Sequence, residues 1–228
     1  NKNVGHAKVY PRWGVRSAAL ASWISKQSLD ILCTQELMAD MAADLANQLP
    51  NYIQLGEPRS HHPLIGETTS LFIRSDRFDV LEFDQFWLSE TPNSFASIGW
   101  DAALPRIATW VMLKDQHTQE KILVLNTHFD HRGKLAKQES TRLITEFIQS
   151  SFDQDTPVVV CGDFNLTPNH PSLDPFLGTF KLSPTHGSAT HVSGSIIDHI
   201  FYSKELHLLR SYVTQPKSKK GRHLSDHY

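Results

Sequence analysis

The nine residues Pro157–Asn165, PVVVCGDFN, constrain this chain most. A short apolar run rich in β-branched residues and opened by proline predicts a buried strand. Gly162 lets the backbone turn at its end, where a larger residue would clash. Asp163 and Asn165 are then expected on one side of an extended segment, since side chains two apart in a strand point the same way. A carboxylate can hold or deprotonate a water, and an amide beside it can donate to an anionic oxygen. The alternative is a strand closing in a turn, with Asp and Asn as ordinary turn formers.

The same theme recurs along the chain. Trp13 to Lys26 has helical spacing of apolar residues, and Asp30 to Glu36 reads as a buried strand ending in an acid. Leu37 to Leu49 predicts a second amphipathic helix, stopped by Pro50. Arg59 to Gly66 is loop, containing His61-His62-Pro63, and Glu67 precedes a strand at Ser70 to Arg74. A weaker extended segment runs from Phe83 to Leu88. Strands are expected at Ile107 to Leu113 and Lys121 to Phe129, joined by a polar hairpin over 115–120. A helix from about Leu135 to Phe152 carries Leu143, Ile144, Phe147 and Ile148 on one face. Thr167 to His191 is loop, followed by strands at Ile196 to Tyr202 and Leu206 to Thr214 and a basic loop at Pro216 to Arg222. With no linker, repeat or low-complexity tract, 1–228 reads as a single domain. The mixture of helices with directly joined strands predicts packed sheets with outer helices.

Composition narrows function. A formal net charge of -2 and a pI near 6.7 argue against a general nucleic-acid coat, though not against a local basic groove. No stretch approaches the roughly 20 apolar residues of a membrane helix. Cys33 and Cys161 both sit in apolar strand-like runs and read as packed thiols, leaving the redox compartment open. Thirteen histidines, several beside acids, make metal or phosphate chemistry worth testing.

Four strands or extended segments end in or carry reactive groups: Glu36; His128; Asp163 with Asn165; and Asp226 with His227. Asp198 lies within a fifth. Buried strands disfavour unpaired charge, so this recurrence is informative. If the strands lie side by side, the groups converge on one rim, and a carboxylate cluster poor in sulfur suits Mg²⁺ or Mn²⁺.

Taken in order, Gln35-Glu36, Asn126-Thr127-His128, Gly162-Asp163-Phe164-Asn165, Ile197-Asp198-His199-Ile200 and Ser225-Asp226-His227 resemble the endonuclease/exonuclease/phosphatase superfamily. Gly99-Trp100-Asp101-Ala102-Ala103-Leu104-Pro105-Arg106 is similar to a bacterial branch of small metal-dependent hydrolases. The resemblance implies an α/β fold, a four-layer α/β/β/α sandwich of two packed mixed sheets with outer helices. It also implies a first strand carrying an asparagine near the metal and a last strand after the Ser-Asp-His motif. Neither is expected within 1–228, and the asparagine role is not given to Asn1 or Asn3.

By the same resemblance Glu36 is the principal metal ligand, and Asp226 sits near the metal or completes a second-ion site. Asp163 orients or deprotonates water, Asn165 binds a phosphate oxygen, and His227 contacts the scissile phosphate. Asp198 fixes the tautomer of His227 and favours its charged form. His128 contacts phosphate, with Glu67 as its orienting partner. Arg106 either clamps a phosphate or pairs with a surface acid. Asp130, His131, His61, His62, His186 and His191 read as solvated loop groups able to form the pocket wall. Lys217, Lys219, Lys220 and Arg222 read as a solvated basic face. The expected function is Mg²⁺- or Mn²⁺-dependent hydrolysis of a phosphomonoester or phosphodiester, with a small substrate: a sugar phosphate, a phosphodiester or a lipid headgroup. Alternatives are a nuclease acting on DNA or RNA and, further off, an inactive binding module. A monomer in the cytoplasm is expected.

Overall fold

A computed structural model describes residues 12–62 and 65–228; Asn1, Asn3 and Pro63 lie outside the described residues. In chain order, α1 (Trp13–Gln27) leads into β1 (Ile31–Cys33), β2 (Leu37–Met38), α2 (Ala39–Gln48) and β3 (Tyr52–Leu55). Then come β4 (Glu67–Thr68), β5 (Leu71–Arg74), β6 (Phe78–Trp87), β7 (Ile107–Asp115) and β8 (Lys121–His128). Next are α3 (Lys134–Ser151), β9 (Val158–Asp163), α4 (Asp174–Thr179), β10 (Lys181–Leu182) and β11 (Asp198–Tyr202).

Six strands form one sheet in the order β10-β11-β9-β8-β7-β6, antiparallel except for the β8–β9 pair. That parallel pair requires a crossover, which α3 supplies. Three strands form an antiparallel sheet, β1-β5-β3. Period-two alternation then builds the layers. Val111, Leu113 and Val124 of the larger sheet meet Leu55, Leu71 and Ile73 of the smaller one. On the other face of the larger sheet, Leu123, Leu125, Val158 and Val160 pack with Ile144 and Ile148 of α3. Phe72, on the outer face of the smaller sheet, packs with Ala21 and Ile24 of α1 and Ala42 and Leu45 of α2. The result is the expected helix–sheet–sheet–helix sandwich.

Several local expectations change. Residues 206–214 form no strand: none pairs with them among the described residues, and Leu209 is 97% exposed. β-forming side chains cannot hold a strand without a ladder to join. The expected strand at Asp30 to Glu36 is regular only over β1. The helix expected from Leu37 starts at Ala39, because Leu37 and Met38 pair with Thr68 and Glu67. The segment around Phe83 extends back to Phe78 through a bulge between Val80 and Glu82. β3 has no counterpart among the expected elements, and α4 and β10 lie inside the expected 167–191 loop.

Among the described residues, no helix is long and apolar enough to cross a membrane.

Gly162 is needed for close approach rather than for a turn. It pairs with Thr127 across the parallel ladder, and a Cβ there would come within 2.1 Å of the Thr127 carbonyl oxygen. Gly162→Ala should therefore force β8 and β9 apart. Thermal melts followed by circular dichroism should show a loss on the order of 3 kcal/mol; an unchanged melt would contradict the contact.

Candidate active site

Three neighbouring strands bring three reactive side chains to one rim. β8 ends at His128, β9 ends at Asp163 and β11 begins at Asp198; Asp163 is paired in register with both. Residues paired across a ladder share a face, so the topology alone sets these groups side by side.

Glu36 arrives from the other sheet through Asn126. This wholly buried asparagine on β8 donates from Nδ2 to the carbonyls of Thr34 (2.9 Å) and Ser70 (3.0 Å). Its Oδ1 accepts from Gln35 Nε2 at 2.6 Å. The backbone then places Glu36 in the left-handed region, φ 64°, a conformation that costs a non-glycine residue energy and needs its surroundings to hold it. Ligand atoms of Glu36, Glu67 and His128 lie within 4.8 Å of one another.

A second group, Asp163, Asp198 and His227, meets the same limit. His227 Nδ1 lies 2.8 and 2.9 Å from the two Asp198 oxygens. Asp163 Oδ2 joins the groups, 3.4 Å from His128 Nε2 and 3.8 Å from His227 Nε2. Both donor sets are carboxylate and imidazole without sulfur, the chemistry of a hard or borderline divalent cation.

Asn165 departs from the extended path expected of it. Its φ is 50°, its backbone N–H donates to Asp163 Oδ1 at 2.8 Å, and its Nδ2 donates to the Phe129 carbonyl at 3.1 Å. The amide is brought beside Asp163 by an Asx-type turn, not by strand periodicity. Asp226 belongs to neither three-residue group; its charge is one of those acting on His227.

The electrostatics separate the two histidines. Burial, reinforced by the charges of Arg106 and Arg59, holds His128 well below 6.5 and hence neutral. Burial also disfavours charge on His227, but the hydrogen bonds and charge of Asp198, then the charges of Asp163 and Asp226, outweigh it and raise His227 to about 9. Burial and the neighbouring Asp198 charge push Asp163 up to about 7, against the pull of His227. A cation at this rim would relieve the mutual repulsion of its acids.

Arg106 does not form a surface pair. It is buried with Asp130; Nε lies 3.4 Å from Asp130 Oδ2, Nη2 lies 3.2 Å from His131 Nδ1, and buried Nη1 has no hydrogen-bond partner among the described residues. Asp130 is accordingly not a solvated loop acid. Although burial raises its pKa, backbone N–H bonds from Gly133 and Arg132 and further favourable interactions bring it to about 2. His61, His62, His131 and His186 are exposed, as are Lys217, Lys219, Lys220 and Arg222. His191 is different: its ring centroid lies 4.7 Å from that of His227 and the two residues form a backbone bridge.

Three residues contribute in ways their sequence context does not disclose. Arg59, almost wholly buried, pairs with Glu67 at 2.7 Å and bonds the Ile65 carbonyl; an arginine in a loop ordinarily reads as solvated. Asn126 stood in a recognisable motif, but its partners lie at least 56 residues away. Asp101 caps α3, accepting from the N–H groups of Lys134, Leu135 and Ala136. It satisfies orphan donors and complements the helix dipole, so part of the 99–106 motif is architectural.

A protein-family model described as Endonuclease/Exonuclease/phosphatase family matches residues 3–227. Among solved structures, a mannosyl-6-phosphatase of Bacteroides thetaiotaomicron is 32% identical with a TM-score of 0.86, covering 100% of this chain and 92% of that one. An endonuclease/exonuclease/phosphatase family protein of the same organism is 34% identical with a TM-score of 0.84, covering 94% and 86%. Carbon catabolite repressor protein 4 homolog 6 of Arabidopsis thaliana is 26% identical, over 92% of this chain but 29% of its own length. The first curated relatives are thus much longer, and this chain spans 29–40% of them.

The charged state of His227 should depend on Asp198. In the metal-free protein, Asp198→Asn should lower the His227 pKa from about 9 towards the ordinary histidine range, read from its ring-proton shifts by NMR against pH. An unchanged titration would show that Asp198 does not hold the proton.

Proposed function

The chain belongs to the endonuclease/exonuclease/phosphatase family, whose members hydrolyse phosphoesters, and from that premise we propose a divalent-metal-dependent hydrolase of a small phosphate ester. A sugar phosphate is the favoured substrate class. The observation that carries the reading is the position of Asp163 Oδ2 between His128 and His227, where it joins two groups of potential metal ligands. The 32% identical mannosyl-6-phosphatase, similar over the whole of this chain, supports the sugar-phosphate class.

Glu36 is the principal ligand in this reading, with Glu67 and His128 beside it. Asp226, next to His227 in sequence, remains the candidate for a second-ion site. A Mg²⁺ or Mn²⁺ ion held there would polarise a phosphoryl oxygen and offset charge on the leaving oxygen. Asp163, set between His128 and His227, is the group placed to take a proton from water. His227, cationic through Asp198, aligns and stabilises a phosphoryl oxygen as charge develops. Neutral His128 and the Asn165 amide add hydrogen-bond donors at the same centre. Arg106, whose Nη1 has no hydrogen-bond partner among the described residues, is the candidate clamp for a phosphate oxygen through charge-assisted binding. Glu67, paired with Arg59, steadies the His128 side of the site. We read 1–228 as one domain, because a single family model spans 3–227.

The test is a panel of sugar phosphates, nucleotides, phosphodiesters and oligonucleotides with Mg²⁺ or Mn²⁺, using Asp163→Asn as the blank. Turnover should be greatest on sugar phosphates and vanish with EDTA. Glu36→Ala and Asp163→Asn should each lower kcat by about 10²–10⁴-fold with far-UV circular dichroism unchanged. Near-normal turnover in either variant would refute these roles. Preferred cleavage of oligonucleotides, with binding that falls steeply with salt, would replace the small substrate with a nucleic acid engaged by the exposed 217–222 loop.

A further inference from the structure

The two cysteines of the chain, 128 residues apart in sequence, meet between the sheets. Cys33 ends β1 in the smaller sheet, and Cys161 lies in β9 of the larger one. Their Sγ atoms are 2.7 Å apart. The two sulfurs are in direct contact, within reach of a disulfide bond after a small side-chain adjustment. Cys33 packs against the interlayer cluster of Leu55, Leu71 and Ile73, and Cys161 Sγ also lies 3.5 Å from the Leu125 carbonyl. Neither sulfur belongs to the metal-ligating groups. Their positions are nevertheless close to the site along the chain: Cys33 stands three residues before Glu36, and Cys161 two before Asp163.

We propose that Cys33 and Cys161 are a disulfide-forming pair that covalently ties the two sheets together directly behind the active-site rim. The oxidant is a low-molecular-weight disulfide such as oxidised glutathione. The thiolate of one cysteine attacks a sulfur of the reagent, releasing one reduced thiol and leaving a mixed disulfide. The second cysteine attacks the protein sulfur of that intermediate, forms the Cys33–Cys161 bond and releases the second thiol. Each cysteine sulfur loses one electron, the two electrons reduce the reagent, and the two thiol protons leave with its products.

The hydrogen bond to Cys161, followed by burial, holds the Cys33 thiol well above its ordinary range. The reacting species is the thiolate, so a raised pKa slows exchange in the folded protein, and refolding, which exposes both thiols, is the favourable occasion for the bond to form. A cross-link between positions so far apart restricts a long loop in the unfolded chain, which is its main stabilising effect in the chain-entropy description.

The test is to refold the unsubstituted chain in a mixture of oxidised and reduced glutathione, and separately in reducing buffer. Each sample is then denatured, alkylated, digested without reduction and analysed by mass spectrometry. The oxidised sample should contain the Cys33 peptide joined to the Cys161 peptide, lighter by two hydrogens than the pair of free thiols. Its Tm should exceed that of the reduced sample by about 5–10 °C. Cys33→Ala and Cys161→Ala should each abolish that difference. Two alkylated thiols, or glutathione on each cysteine without a cross-link, would overturn the proposal. So would a rise in Tm that persists in the alanine variants. The peptide readout uses the unsubstituted chain and stands even where a variant fails to fold.

Discussion

The site depends on one amide. Asn126 is wholly buried, and its side chain makes three hydrogen bonds, two donated to the carbonyls of Thr34 and Ser70 and one accepted from Gln35. These bonds fasten β8 of the larger sheet to the chain just beyond β1 of the smaller one, at the segment leading into Glu36. A buried amide with partners for both ends strengthens its neighbours in a low-dielectric interior; the same amide with a partner removed would carry the full penalty of a buried unsatisfied group. The geometry of Glu36 relative to His128 therefore rests on a contact that is not itself made by either residue.

Around that junction, buried and half-buried charges are compensated pair by pair. Arg59 faces Glu67, Arg106 faces Asp130 and His227 faces Asp198. Asp163 is less well compensated. It has a neutral imidazole on one side and a cationic one on the other, with Asp198 near enough to raise its pKa. A folded protein tolerates such an arrangement where binding or chemistry supplies what the fold leaves unmet. Here a divalent cation and an anionic phosphate are complementary to what is missing: the first to the acids, the second to His227 and the buried arginine nitrogen.

The backbone contributes as well. Glu36 and Asn165 both have positive φ, and each lies just past the end of a strand carrying one of the two cysteines. Gly162 permits the close approach of β9 to Thr127 that sets Asp163 level with His128. Asp101, reaching across from the loop before β7 to cap α3, holds the start of the crossover helix near Asp130. The catalytic rim is thus supported by residues whose own chemistry is purely architectural.

The layer architecture was legible in the amino-acid order, because period-two and period-3.6 patterns are local and report directly which faces are buried. The acids at strand ends were legible for a related reason: a charge beside a buried apolar run is conspicuous wherever the chain goes next. What could not be read were the pairings. Asp130 reads as solvated until Arg106 is placed against it, and His191 until the 227 segment returns to it, while nothing in the 59–66 loop announces the pairing of Arg59 with Glu67. The 206–214 segment had strand-forming side chains but no neighbouring strand among the described residues. Sequence determined which residues could carry charge into the interior and which segments had a face to bury. Only the tertiary structure decided which charges met, which amide bridged the sheets and which two sulfurs came into contact, since hydrogen bonds and Coulomb interactions depend on separations in space that the order of residues does not specify.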